Sequence, residues 1–166
     1  RSRLPVVSMT LMVQKEVADR MCATCGSKEY GALSVAVQYY TIPTVICRAE
    51  PHCFIPQPKV ASSVVHLKVS ATPTVTVSDE KKFFAIVKSS FGQRRKTLLN
   101  ALSKSPYFSA NKDSVRSALV QMGVDENIRG EKLSISQLRV QRYTVFCERA
   151  NFRWKKLVFG VNIFLL

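Results

Sequence analysis

Three consecutive cations, Arg94, Arg95 and Lys96, stand inside Phe91-Gly-Gln-Arg-Arg-Lys-Thr-Leu-Leu-Asn100. Cations so placed do one kind of chemistry well, which is to neutralise phosphate. Leu98, Leu99 and Leu102 define one apolar face, so the spacing predicts a helix over residues 94–102 with the cations in its first turn. Successive residues lie about 100° apart around a helix axis, so at most two of the three face one phosphate ridge, and the backbone donors of a helix N-terminus would add to them. A solvated basic face is the competing reading. Gly92 and the surrounding charge weigh against it. The chain has 166 residues with 25 Lys and Arg against 11 Asp and Glu, a net charge of +14. Residues 1–70 carry +4 of this and residues 71–166 carry +10. Such a field favours a polyanion, nucleic acid before an anionic membrane surface.

A second candidate is Phe54-Ile-Pro-Gln-Pro-Lys59. Pro56 and Pro58 each fix their own φ and push the preceding residue towards extended backbone, which predicts a stiff, non-helical loop. An aromatic ring at the head of such a loop can hold a flat ligand. Ser62–Val69 follows with alternating β-branched residues and reads as a strand near a sheet edge, since its polar positions need water.

Cysteine and histidine offer less. Cys22, Cys25, Cys47, His52 and Cys53 could supply four zinc ligands, but no second compact pair exists and Cys22 and Cys25 fall at the end of a predicted helix. A cysteine nucleophile paired with His52 or His66 lacks an orienting third group, and His66 lies within the predicted strand as a structural residue. Five cysteines, Cys147 included, are an odd number and suit a reducing, cytoplasmic setting. Arg1-Ser-Arg-Leu-Pro5 has no apolar targeting run, and the ten apolar-rich residues 157–166 are too few to span a bilayer. The six glycines never form a Gly-rich phosphate or dinucleotide loop.

The elements that must position these residues follow from periodicity. Ser8–Gln14 is a short apolar run that predicts a buried strand of the α/β kind. A short helix is expected over Lys15–Met21 and a second over Ala32–Tyr40, stopped by Pro43, with a strand at Thr44–Arg48. This order matches the back half of an open α/β sheet, so the chain is expected to begin in mid-domain. Proline and small polar residues at 71–78 mark a linker. Beyond it the period becomes 3.6, with helices over Asp79–Phe91 and Lys112–Met122, the latter closed by Gly123. Ser134 and Gln137 form a capping box, with Leu133 and Leu138 as its hydrophobic staple. Residues 1–70, 71–78, 79–140 and 141–166 are therefore expected as partial α/β domain, linker, small all-α domain and atypical tail.

Four motifs in order carry a resemblance: Leu11-Met-Val-Gln-Lys-Glu-Val-Ala-Asp-Arg20, Tyr30-Gly-Ala-Leu-Ser-Val35 with Gln38, Phe54-Ile-Pro-Gln-Pro-Lys-Val60 with Ser62-Ser-Val64, and Phe91-Gly-Gln-Arg-Arg-Lys-Thr-Leu98. From about Met9 to about Leu138 the chain resembles the rRNA adenine dimethylase family, the bacterial small-subunit rRNA adenine N6-dimethyltransferases. The resemblance implies the back half of a Rossmann-like methyltransferase sheet followed by a small helical domain. It implies S-adenosyl-L-methionine as cofactor, small-subunit rRNA in the 30S ribosomal subunit as partner, a monomer, and neither metal nor membrane. The implied reaction is dimethylation of two adjacent adenines at N6. Phe54 carries over as the ring that packs against the flipped adenine. Arg94, Arg95 and Lys96 carry over as rRNA backbone contacts, with Lys59 and Lys15 as weaker ones. The family's Asn-Leu-Pro-Tyr and glycine motifs do not occur in this sequence, so no catalytic residue carries over and the chain alone is expected to be inactive. From Arg139 onward the residues depart from the family pattern. Two other classes stay open: a non-catalytic RNA-binding or ribosome-assembly module, and a helical DNA-binding domain.

Overall fold

A computed structural model describes residues 6–107 and 111–138. The expected tail 141–166, including Cys147, lies outside the described residues. The elements are β1 (Ser8–Gln14), α1 (Lys15–Cys22), α2 (Ala32–Tyr40), β2 (Thr41–Ala49), β3 (Ser62–Val69), α3 (Glu80–Gly92), α4 (Leu98–Ser103), α5 (Lys112–Gln121) and α6 (Ile135–Leu138), with 3-10 turns at Pro51–Cys53 and Gly130–Lys132.

The three strands lie in the order β1-β3-β2, and β3 is antiparallel to both neighbours. Thus β3 is the central strand and not near an edge. Its polar positions reach water through a face. Ser63, Val65 and Leu67 are buried on one side, while Ser62, Val64, His66 and Lys68 are more exposed on the other. His66 Nδ1 lies 3.1 Å from Thr10 Oγ1 across the β1–β3 pair. The expected burial of β1 is also corrected. Of β1 only Leu11 and Val13 are buried, because Thr10 and Met12 lie on the same open face of the sheet as their β3 partners His66 and Val64. Pro43 does not stop the preceding helix. It lies inside β2, where an edge strand tolerates the missing N–H, and α2 ends earlier, the Thr41 N–H bonding to Val37 O.

Side-chain caps set the helical half. Asp79 accepts the Lys81 and Lys82 N–H groups at the start of α3, Thr97 accepts that of Asn100 in α4, and Asn111 accepts that of Ser114 in α5. Gly123 follows α5 at φ +64. The capping box forms as its spacing predicts: Ser134 N–H donates to Gln137 Oε1 at 3.0 Å, and Gln137 N–H donates to Ser134 Oγ at 3.3 Å.

Two apolar clusters hold these layers. Under the sheet, Leu11, Val13, Val65 and Leu67 meet Val17, Ala18 and Met21 of α1. The larger cluster joins Tyr30, Val35 and Tyr39 to Phe83, Phe84, Leu98, Leu102, Leu119, Leu133 and Leu138. Helix α2 serves both: Leu33 and Val37 pack on the sheet cluster, Val35 and Tyr39 on the helical one. Tyr39 stacks on Phe83 with ring centroids 5.1 Å apart. A helix apolar on two faces thus carries the positions of one half of the fold to the other.

Candidate nucleic-acid interface

Arg94 and Arg95 occupy the turn between α3 and α4, with Lys96 at the following bend. The expected helix over 94–102 therefore starts four residues later, at Leu98. Thr97 explains the shift: as N-cap it holds extended backbone at ψ 155 and offers its hydroxyl to the Asn100 N–H, and such a residue terminates helical geometry on its N-terminal side. The cations are presented by a turn, and the expected contribution of helix N-terminal donors next to them does not apply.

Tertiary structure brings two further segments to this turn. The Leu98 N–H donates to Ile128 O at 2.7 Å, which draws residues 125–132 alongside α4. The Gly26 N–H donates to Glu131 O at 2.9 Å, which draws in the loop after α1. Gly26 has φ +87, a conformation that glycine adopts without steric cost. The segments that carry Lys28, that carry Arg94, Arg95 and Lys96, and that carry Arg129 and Lys132 are thereby joined at one junction, where Arg94 meets the Glu131 carboxylate. All six cations are exposed.

They are not equivalent. Arg94 donates from Nε and Nη2 to Glu131 Oε2 at 3.2 and 3.0 Å, and from Nη2 to Lys28 O at 2.8 Å. Arg95 and Lys96 make no side-chain hydrogen bond or ion pair among the described residues. Lys28, Arg129 and Lys132 are members that sequence reasoning missed, and the only signal for them is the general basic excess.

The Phe54 loop lies elsewhere. It leaves β2, turns through Pro51–Cys53, and returns to β3, with the Phe54 N–H bonded to Pro51 O at 3.2 Å. The Lys15 N–H donates to Ala61 O at 2.9 Å. The loop therefore sits beside the C-terminal ends of β1 and β2, the end at which open α/β sheets place ligands. Phe54 is half-buried, while Ile55 and Lys59 are exposed. The Lys15 ammonium is held by Asp19 at 2.7 Å, one turn along α1. Lys15 stands at one end of α1 and the basic junction beyond the other, a helical rise of roughly 12 Å between them. Lys15 thus borders the segment that carries Phe54 and Lys59, and Arg94, Arg95 and Lys96 belong to the junction beyond the other end of α1.

Neither Cys22 nor Cys25 is an activated thiol. Burial pushes the Cys22 thiol up, aided by Asp19, and pushes the Cys25 thiol up against the pull of Lys132. Among the described residues no three His, Cys, Asp or Glu side chains converge as metal ligands, and no helix there is long and apolar enough to cross a membrane.

Comparison with known proteins gives one consistent family. The model described as "Ribosomal RNA adenine dimethylase" matches residues 1–148, past the Leu138 at which the sequence motifs end. The chain is 51% identical over 138 residues to ribosomal RNA small subunit methyltransferase A of Alkaliphilus oremlandii, covering 83% of this chain and 48% of the relative. It is 45% identical over 152 residues to the protein of that name from Anoxybacillus flavithermus, covering 89% and 52%. The chain therefore spans about half the length of the curated relatives it matches. In fold it resembles a dimethyladenosine transferase from Plasmodium falciparum, with a TM-score of 0.68 at 22% identity over 82% of this chain and 57% of that one. It also resembles the 23S rRNA methyltransferase ErmE, with a TM-score of 0.53 at 19% identity over 79% and 51%. The α/β architecture is that of the Rossmann-like methyltransferases.

Proposed function

The chain belongs to the ribosomal RNA adenine dimethylase family, and from that premise we propose that it forms the rRNA-docking half of an S-adenosyl-L-methionine-dependent enzyme. The proposed reaction converts two adjacent adenines of small-subunit rRNA to N6-dimethyladenines. The joining of three segments that together bear six exposed cations supports this reading most directly, since a phosphate backbone is the ligand that such a surface favours. Arg95 and Lys96, with Lys28, Arg129 and Lys132 beside them, are assigned to rRNA phosphates. Arg94 stands among them with donors already engaged.

At the other end of α1, Phe54 is assigned to the target base. An exocyclic adenine amine is a poor nucleophile because its lone pair is delocalised into the ring. A base must leave its stack before such an amine can be aligned. A half-buried aromatic ring on a stiff loop can stack on the extruded base and hold it, and positioning of this kind supplies much of the rate in a two-reactant step. Lys59, exposed on the same loop, and Lys15 are assigned to flanking phosphates.

S-adenosyl-L-methionine would supply the methyl group. Among the described residues Gly26 and Gly123 occupy turns, Gly31 caps α2, Gly92 ends α3 and Gly130 packs on α3. We assign no described residue to the cofactor.

Filter binding of the 166-residue chain to small-subunit rRNA across a salt series tests the docking role. Affinity should fall linearly on a log–log plot, and Arg95→Gln with Lys96→Gln should reduce the slope by roughly one for each phosphate that is no longer neutralised. An unchanged slope would remove those residues from the interface. Equal competition by duplex DNA would favour the DNA-binding reading. Methyl transfer is expected only from a chain of the relatives' full length, and turnover by this chain alone would overturn the division of labour proposed here.

A further inference from the structure

Of the three adjacent cations, Arg94 is the one whose side chain is engaged by protein acceptors. We propose that Arg94 and Glu131 form a positioning latch between the α1–α2 loop and the helical half. In this assignment, which rests on the docking role above, Arg94 orients the basic turn and does not itself hold a phosphate.

Each part of the latch is supported separately. Gly130 lets its 3-10 turn seat directly on α3, because a Cβ there would stand 2.6 Å from Ser90 O. That seating delivers Glu131, whose main-chain oxygen accepts the Gly26 N–H at 2.9 Å and faces Cys25 Sγ at 3.9 Å. The Glu131 carboxylate accepts two N–H groups of Arg94, and the same guanidinium closes on Lys28 O. Residues 26–28, 94 and 131 are thus joined by four nitrogen-donated hydrogen bonds that use one backbone N–H, two guanidinium nitrogens, one carboxylate oxygen and two carbonyls. Glu131 is more shielded than Arg94, with side-chain exposures of 24% and 43%.

The geometry requires a planar fork. A lysine ammonium carries the same charge but cannot present two nitrogens in one plane to a carboxylate and a carbonyl. By contrast, a phosphate contact made as a point charge would tolerate lysine. The turn that carries Arg95 and Lys96 is connected through Arg94 to the loop after α1, so the latch sets where the phosphate-facing cations stand relative to the sheet.

Hydrogen exchange and rRNA binding on the 166-residue chain separate these roles. Arg94→Lys should speed exchange at the Gly26 amide by about tenfold or more, because that amide loses the support of the Arg94–Glu131–Lys28 closure. Arg94→Glu and Glu131→Arg should each do the same, and the double exchange Arg94→Glu/Glu131→Arg should return protection to within about threefold of the parent. In rRNA binding, Arg94→Lys should weaken affinity where Arg95→Lys does not, because a point charge satisfies a phosphate but not the fork. Unchanged exchange in Arg94→Lys, no recovery in the double exchange, or rRNA affinity kept in Arg94→Lys would overturn the latch. Loss of all rRNA binding in the parent would instead overturn the docking role, and the exchange measurements would still decide the latch.

Discussion

Gly130 lies so close to Ser90 that a Cβ on it would stand 2.6 Å from the Ser90 carbonyl oxygen and 2.9 Å from its Cβ. The obstructing oxygen belongs to helix backbone, which cannot rotate away as a long side chain could. Gly130→Ala should therefore destabilise the chain by about 1–3 kcal/mol, the usual cost of overpacking. Thermal and urea melts check this, and a variant as stable as the parent would show that the turn can lift from α3 without loss.

Tyr30 is 1% exposed, and its hydroxyl has no hydrogen-bond partner among the described residues. Its ring meets Phe91 edge-on with centroids 5.6 Å apart. Removing the hydroxyl keeps that ring contact and removes a buried polar group, so Tyr30→Phe should be neutral or stabilising by up to about 1–2 kcal/mol. Denaturant midpoints compared at equal slope measure it, and a clear loss would reveal a bond that this hydroxyl makes.

Burial also raises the Tyr30 phenol from 10.0 to about 12, with Cys25 adding to the shift. Tyr40 is raised in the same direction by burial and then by its hydrogen bond to Glu80. Their contribution to stability is therefore present below the unfolded value near pH 10 and lost as pH rises through the folded values. The unfolded chain releases these protons first, so stability should fall above about pH 10. Tyr30→Phe should show a shallower fall between about pH 10 and 12, measured as the difference between the two pH–stability curves.

Asp79 accepts two backbone N–H groups at the start of α3, from Lys81 at 2.8 Å and Lys82 at 3.1 Å. Asp79→Ala should cost about 1 kcal/mol, and Asp79→Ser should recover much of it, because either oxygen can cap. Since α3 supplies Phe83, Phe84 and Val87 to the larger core, the loss should appear in global unfolding. An effect confined to fraying of the first turn would count against that coupling.

How much was legible in the sequence follows from what kind of interaction decides each element. Ala32–Tyr40 and the Ser134–Gln137 box are local: their apolar spacing and caps lie within a few residues of one another, and the structure places both where the spacing predicts. Thr97 was an equally local signal for the start of α4, but the leucine spacing that follows it obscured the cap. Pro43 misled because its effect depends on strand position: a proline that would break a central strand is tolerated on the edge that β2 forms.

The sequence by itself determined the basic character of the surface, the helical faces, the stiff Phe54 loop and, through four ordered motifs, the family. Those features depend on residue type and short spacing. Only the tertiary structure decided that β3 is central, that Phe54 and the Arg94–Lys96 turn stand apart, and that Lys28, Arg129 and Lys132 join that turn. It also distinguished Arg94 from its two neighbours, since a guanidinium is committed by the acceptors around it. Here they are Glu131, 37 residues away, and Lys28, 66 residues away, separations over which no local pattern records a contact.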